Sequence, residues 1–362
     1  MQTTLDRRAL HRIPELDWAM EKTSAYLKAS LADLPCRIFS PLEGSVCAFF
    51  DFGAERTLAF RADTDALPIT EQNDTDYTSC HLNVMHACGH DGHMAILLEL
   101  ARRMGQKKTN PWNILLVFQP GEECSGGAEP ICNTGIFEEY KVEAVFGLHL
   151  WPGLAAGEIF SREKELMARA SEVDVDIYGK SAHIARSWEG VDAIAAGTEF
   201  YRRAVAMEKA LPEDIFRLLK FGKFQSGVVR NALSSHTHME GSLRAFQDEV
   251  FNDLRDGLYR IGRELEGEFG CTVQIGINTG YPAVMNPPEL CRRVRQIAEY
   301  RQLEAPAMTA EDFAFYQRRL PAMFFFLGTG DSPALHTSNF DFDETILEKG
   351  ADFFEKLATE FL

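Results

Sequence analysis

The stretch MHACGHDGH sets His86, Cys88, His90 and His93 close together in a run too polar to be core. Cys88 and His90, one residue apart on a loop, can both face one ion if the thiol ionises. Thiolate with imidazole suits zinc, cobalt or nickel better than magnesium or calcium. Alone, the pair would read as a buried cysteine beside a surface histidine; the two further imidazoles favour a metal. A structural zinc knuckle needs a second close Cys/His pair, which the chain lacks, so further ligands must come from distant positions, as in catalytic sites. Glu122 and Glu123 in FQPGEE are candidates, because adjacent carboxylates on a turn repel unless a cation is near. One of them can bind metal while its neighbour takes a proton from activated water and passes it to a leaving amine. The plain alternative is a solvated acidic turn, yet the pair directly follows an apolar strand. His149 and His336, each an ordinary hydrogen-bonded histidine if taken singly, become ligand candidates when taken with the others.

The elements that must position these groups follow from periodicity. A helix is expected from about Glu15 to Ala32, then β-rich runs at Cys36 to Ser40, Val46 to Phe52 and Thr57 to Asp63. MHACGHDGH reads as a loop leading into an apolar-periodic helix, Met94 to Met104, with Asp91 as its N-cap. Strands are expected at Ile114 to Phe118, Ala144 to Leu150 and Ala322 to Gly330. Asp63, Glu122, Glu123, His149 and His336 all fall at or just past the C-terminal ends of such strands. In open α/β sheets that edge is where sites form. Strands alternating with helices, and long apolar runs, indicate a mostly parallel, doubly wound sheet covered on both faces.

A segment of different character intervenes. Strand SEVDVDIYG, helix VDAIAAGTEFYRRAVAME, strands Phe221 to Arg230 and Ser235 to Phe246, helix Asp248 to Phe269 and strand CTVQIGIN follow in the order βαββαβ. This is a ferredoxin-like unit able to bury its own core. The expected organisation is therefore a discontinuous catalytic domain, 1–170 and 281–362, with an inserted domain at 171–280.

Composition narrows the partners. An apolar share of 45% against 25% charged is that of a globular protein. The formal charge of −17 argues against nucleic acid, which needs a basic surface. No apolar signal core opens the chain and no apolar run reaches spanning length, so no membrane partner is expected. Eight cysteines without framework spacing suit free thiols in a reducing compartment, and the cytoplasm is the expected location.

Together RADTDALP, MHACGHDGH, FQPGEE, GLHLWPG, the GKSAH ending at His183, TAEDFAFY and ALHTSNFDFDE resemble the M20 peptidase family. Within it they are similar to the amidohydrolase subfamily of N-acyl-amino-acid and hippurate hydrolases, plant auxin-conjugate hydrolases and N-acetyldiaminopimelate deacetylases. The motifs run in order from Arg61 to about Glu344. The resemblance implies a two-metal amidase in which Cys88, His90, Glu123, His149 and His336 match the ligands and Glu122 matches the general base. Asp63 matches the acidic residue supporting the site. His183 matches a histidine of the inserted lid domain that helps hold the scissile carbonyl oxygen.

Asn231 falls near the family's substrate-binding lid asparagine, although RNALSS replaces the usual NVIP-like pattern, and ARSWEG lacks the usual proline. The family's inserted domain commonly dimerises, which implies a homodimer through that domain. The cofactor implied is a pair of divalent ions: zinc, manganese, cobalt or nickel. The reaction implied is hydrolysis of an N-acyl amino acid, with a dipeptidase or carboxypeptidase on the same scaffold as the alternative. A non-catalytic binding protein is disfavoured, since the base and all five matched ligands are present. His86 and His93 are then left with supporting or packing roles.

Overall fold

The computed structural model describes residues 1–361. The chain divides into two compact units, one of residues 1–166, 284–306 and 312 onward, the other of 167–283 and 307–311.

The first unit is built on an eight-stranded sheet. Its order is Arg37–Phe39, Val46–Phe50, Asn113–Gln119, Thr57–Asp63, Val142–Trp151, Ala322–Gly328, Ile159–Ser161 and Arg301–Gln302. The four middle strands, Asn113–Gln119 to Ala322–Gly328, run parallel, and antiparallel pairings flank them. NILLVFQ, TLAFRAD and AMFFFLG are buried along their whole length, as strands covered on both faces must be. Phe60 packs on Phe146 and Phe354 at ring separations of 5.6 and 5.1 Å, so the helix Leu347–Glu360 closes over the sheet through an aromatic cluster. Truncating such a buried ring typically costs about 3–5 kcal/mol. The register pairs Asp63 with Gln119, Arg61 with Gly147 and His149 with Phe326. Strand ends carrying the candidate residues are therefore nearly level.

The second unit has a four-stranded antiparallel sheet ordered Thr272–Ile277, Arg169–Tyr178, His236–Ala245, Arg217–Ser226. Helices Ala193–Lys209 and Asp248–Phe269 bury Phe200, Phe251 and Leu254 against Val173, Val175, Ile177 and Met239. Alternate residues of Arg169–Tyr178 face outward, leaving the other sheet face open. Among the described residues no helix is long and apolar enough to cross a membrane.

Local differences from expectation have physical causes. The helix expected from Glu15 begins at Glu21, because Pro14 and the positive φ of Asp17 (54°) keep the preceding loop irregular. A helix not anticipated, Gln2–His11, packs on His90–Gly105. The latter helix starts at His90, not Met94, with Gly89 as its cap at φ 85°. Asp91 is thus inside the first turn, and its carboxylate accepts from Arg7 Nε at 2.8 Å. The strand expected to reach Arg230 ends at Ser226, where Gly227 turns the chain out with φ 72°.

Candidate metal centre

Donors gather at the C-terminal edge of the first unit's parallel strands. Cys88 and His90 flank the helix start, Glu123 follows Asn113–Gln119, His149 lies near the end of Val142–Trp151, and His336 lies beyond Ala322–Gly328. Cys88 Sγ is 3.3 Å from His149 Nε2 and 3.3 Å from His336 Nε2. Glu123 Oε1 is 3.1 Å from His336 Nε2 and 3.9 Å from His90 Nε2. Cys88/His90/His149, Cys88/Glu123/His336 and His90/Glu122/Glu123 each bring three donor atoms within 4.8 Å of one another.

The chemistry of this set fits a divalent ion. His90 is fully buried, yet neither ring nitrogen has a hydrogen-bond partner. Such an orphaned group costs about 1–3 kcal/mol unless something binds it. Burial pushes the Cys88 thiol well above its ordinary range, and Glu123 and Glu122 push the same way. Burial disfavours charge on His90, but Asp63, Asp65 and Glu123 outweigh it and raise the imidazole to about 10. Both shifts reflect negative charge concentrated in a dry site. A dication held by these residues would reverse that field, favouring the thiolate of Cys88 and the neutral imidazole of His90.

Supporting hydrogen bonds aim the donors. His149 Nδ1 donates to Leu150 O at 2.7 Å, which leaves Nε2 with its lone pair toward Cys88. Burial also holds His149 well below its ordinary pKa, keeping it neutral. His93 Nε2 accepts the Leu150 N–H at 2.8 Å, so Nδ1 must carry the proton it donates to Asp63 Oδ1 at 2.6 Å. Asp63 in turn accepts from Arg61 Nη1 at 2.7 Å. His86 is buried without a hydrogen-bond partner, and burial pushes its pKa down to about 3.

Two further carboxylates, Asp65 and Asp312, hold the glutamate turn and the start of the helix that follows it. Asp65 accepts the N–H of Glu122 at 3.0 Å and that of Glu123 at 2.9 Å. Asp312 accepts from Gly127 N at 2.8 Å and Ala128 N at 2.9 Å, and is itself held by Arg61 and Gln119. Both stand inside motifs already singled out, RADTDALP and TAEDFAFY, which was the available signal.

Glu122, Glu123, Cys88, His90, His149, His336 and Asp63 are thus together in the first unit. His183 and Asn231 are together in the second, where Ile184 N donates to Asn231 O at 3.0 Å. His183 Nδ1 accepts from Ala185 N at 3.2 Å and caps the short 3-10 turn Ile184–Glu189.

Comparison with known proteins gives a match to peptidase family M20/M25/M40 over residues 59–360. An uncharacterized hydrolase of Staphylococcus haemolyticus is 35% identical over 373 residues, covering 99% of this chain and 97% of that protein. The crystal structure of the Bacillus subtilis YXEP protein, a dinuclear metal-binding peptidase from the M20 family, superposes with a TM-score of 0.85 at 27% identity. That match covers 99% of this chain and 96% of the other.

Proposed function

Since this chain belongs to peptidase family M20/M25/M40 and is a metal-dependent hydrolase of amide bonds, we propose that it cleaves N-acyl amino acids. The observation that carries the reading is the Glu122–Glu123 turn, whose carboxylates reach within 4.8 Å of a His90 nitrogen and of each other. Glu123 serves as a ligand with Cys88, His90, His149 and His336, while Glu122 acts as the base.

Two divalent ions, when bound, supply Lewis acidity and lower the pKa of water. Zinc, manganese, cobalt and nickel are the candidates, with the thiolate favouring the softer members. Glu122 takes the proton of the attacking water and delivers it to the leaving amine. Asp63, through His93, and Asp65, through the turn backbone, keep ligand and base in place. His183 holds the scissile carbonyl oxygen and Asn231 contacts substrate. A homodimer through the second unit and a cytoplasmic location complete the reading. Eight cysteines without framework spacing support that location.

Glu122→Gln should lower turnover by about 100–10,000-fold while metal content per chain stays at the wild-type level; an active variant sinks the assignment of the base. A panel of N-acetyl and N-benzoyl amino acids and dipeptides, assayed with each of the four metals, tests the substrate class. Cleavage of dipeptides alone would replace this reading with a dipeptidase.

A further inference from the structure

We infer that Trp18, Ser125 and Asp17 form a latch that positions the glutamate turn of the first unit from its outer side, an inference that rests on Glu122 being the base. The turn is the loop from Gly121 to Gly126, closed by Gly126 N donating to Gly121 O at 2.7 Å. Asp65 holds it from within, through the N–H groups of Glu122 and Glu123. On the outer side Trp18 Nε1 donates to Ser125 Oγ at 2.7 Å, and Ser125 Oγ donates to Asp17 Oδ1 at 2.5 Å. An N–H that donates to a hydroxyl already donating onward makes a chain whose bonds strengthen one another. The indole also covers the start of the loop. A Cβ on Gly121 would stand 3.0 Å from Trp18 Nε1 and 3.3 Å from Asp17 Oδ1. Trp18 and Asp17 thus meet the loop on both sides of the glutamate pair, at Gly121 and at Ser125.

The latch has a fixed mount. Ala66, the residue after Asp65, pairs with Leu16 and donates its N–H to Glu15 O at 2.8 Å, so the inner and outer holds share one frame. The Glu15 carboxylate accepts Lys22 N at 3.0 Å and Thr23 N at 2.8 Å, and Met20 N bonds back to Trp18 O at 2.9 Å. Within this frame Asp17 takes φ 54°, a region that residues other than glycine seldom occupy. Such a conformation persists only where the surrounding contacts hold it, and here it carries the carboxylate that receives Ser125. Without the outer side, the glutamate pair depends on Asp65 alone. A shift of about 1 Å in a positioned group can cost on the order of 100-fold in rate.

The test is steady-state kinetics on the substrate of the acyl and dipeptide panel that the wild type cleaves fastest. Ser125→Ala should lower kcat by about 10–100-fold with KM little changed. Ser125→Thr, which keeps the hydroxyl, should restore it, a rescue that a merely structural contact would not produce. Trp18→Phe keeps an aromatic ring but removes the N–H, and combined with Ser125→Ala it should cost no more than Ser125→Ala alone, because both substitutions break one chain. Wild-type kcat in Ser125→Ala, a loss that Ser125→Thr fails to rescue, or fully additive losses would each overturn the latch. Glu122→Gln, assayed alongside, separates the two failures. If it is inactive while Ser125→Ala is not, only the latch falls; if it is active, the base assignment falls and the latch with it.

Discussion

Asp65 accepts the backbone N–H of Glu122 on one carboxylate oxygen at 3.0 Å, and its other oxygen takes the N–H of Glu123 at 2.9 Å. One side chain thereby fixes the directions of two consecutive glutamates with different proposed tasks. Asp65→Asn keeps the size but exchanges one acceptor for a donor facing an N–H. Turnover should fall by about 10–100-fold, the range seen when groups supporting a metal site are removed, with the unfolding midpoint little changed. Steady-state kinetics beside a thermal melt check it; an unaltered kcat would remove Asp65 from the positioning machinery.

Metal removal should be visible in stability as well as in activity. Without the ions, Glu122 and Glu123 stand within 4.8 Å of each other and of a His90 nitrogen, Asp63 approaches the same ring at 3.7 Å, and His90 has no hydrogen-bond partner. A ligand at 100 times its Kd stabilises by about 2.7 kcal/mol, which corresponds to roughly 5–10 °C for a domain of this size. Exhaustive chelation should lower the unfolding midpoint by about that amount, and adding the metal back should restore it. Identical melts with and without chelator would contradict the metal centre.

Arg7 is fully buried and meets three carboxylates, Asp91 at 2.8 Å, Asp341 at 2.9 Å and Glu344 at 3.3 Å. It also lies over the rings of Phe342 and Tyr77. Arg7→Met fills the space but leaves the Asp91 carboxylate buried against His11, without the guanidinium that opposed its charge. Breaking one side of a buried ion pair costs about 3–5 kcal/mol, and chemical denaturation of the variant should show a loss of that order. A loss under about 1 kcal/mol, the level of a surface pair, would mean that the network is not supporting the fold.

What the sequence made legible is where local pattern and function coincide. Apolar runs that stop at Asp63 and His149 mark strand ends, and the βαββαβ order of the second unit follows from periodicity. Asp65 was not legible in the same way, because its work is accepting N–H groups 57 and 58 positions further on. The helix Gln2–His11 was missed because it buries Asp6, Arg7 and His11, residue types that ordinarily face solvent. Asp91 has the right chemistry for a helix cap, but Arg7 and His11 claim its carboxylate one residue inside the helix.

Gly89 separates the two proposed ligands Cys88 and His90, and its left-handed backbone (φ 85°) sets the angle at which both leave the chain. A side chain there is strained in two ways. The conformation itself costs an L-residue about 1–2 kcal/mol, and a Cβ would stand 3.0 Å from Leu150 Cδ1, on the residue whose carbonyl orients His149. Gly89→Ala should therefore disturb metal affinity more than its modest loss of stability suggests, because the strain is released by moving Cys88 against His90. Competition with a calibrated chelator should give a weaker affinity by about 10-fold or more, while the melt of the metal-free protein shifts by only a few degrees. Wild-type affinity in a destabilised variant would show instead that Gly89 serves the fold and not the spacing of the ligands.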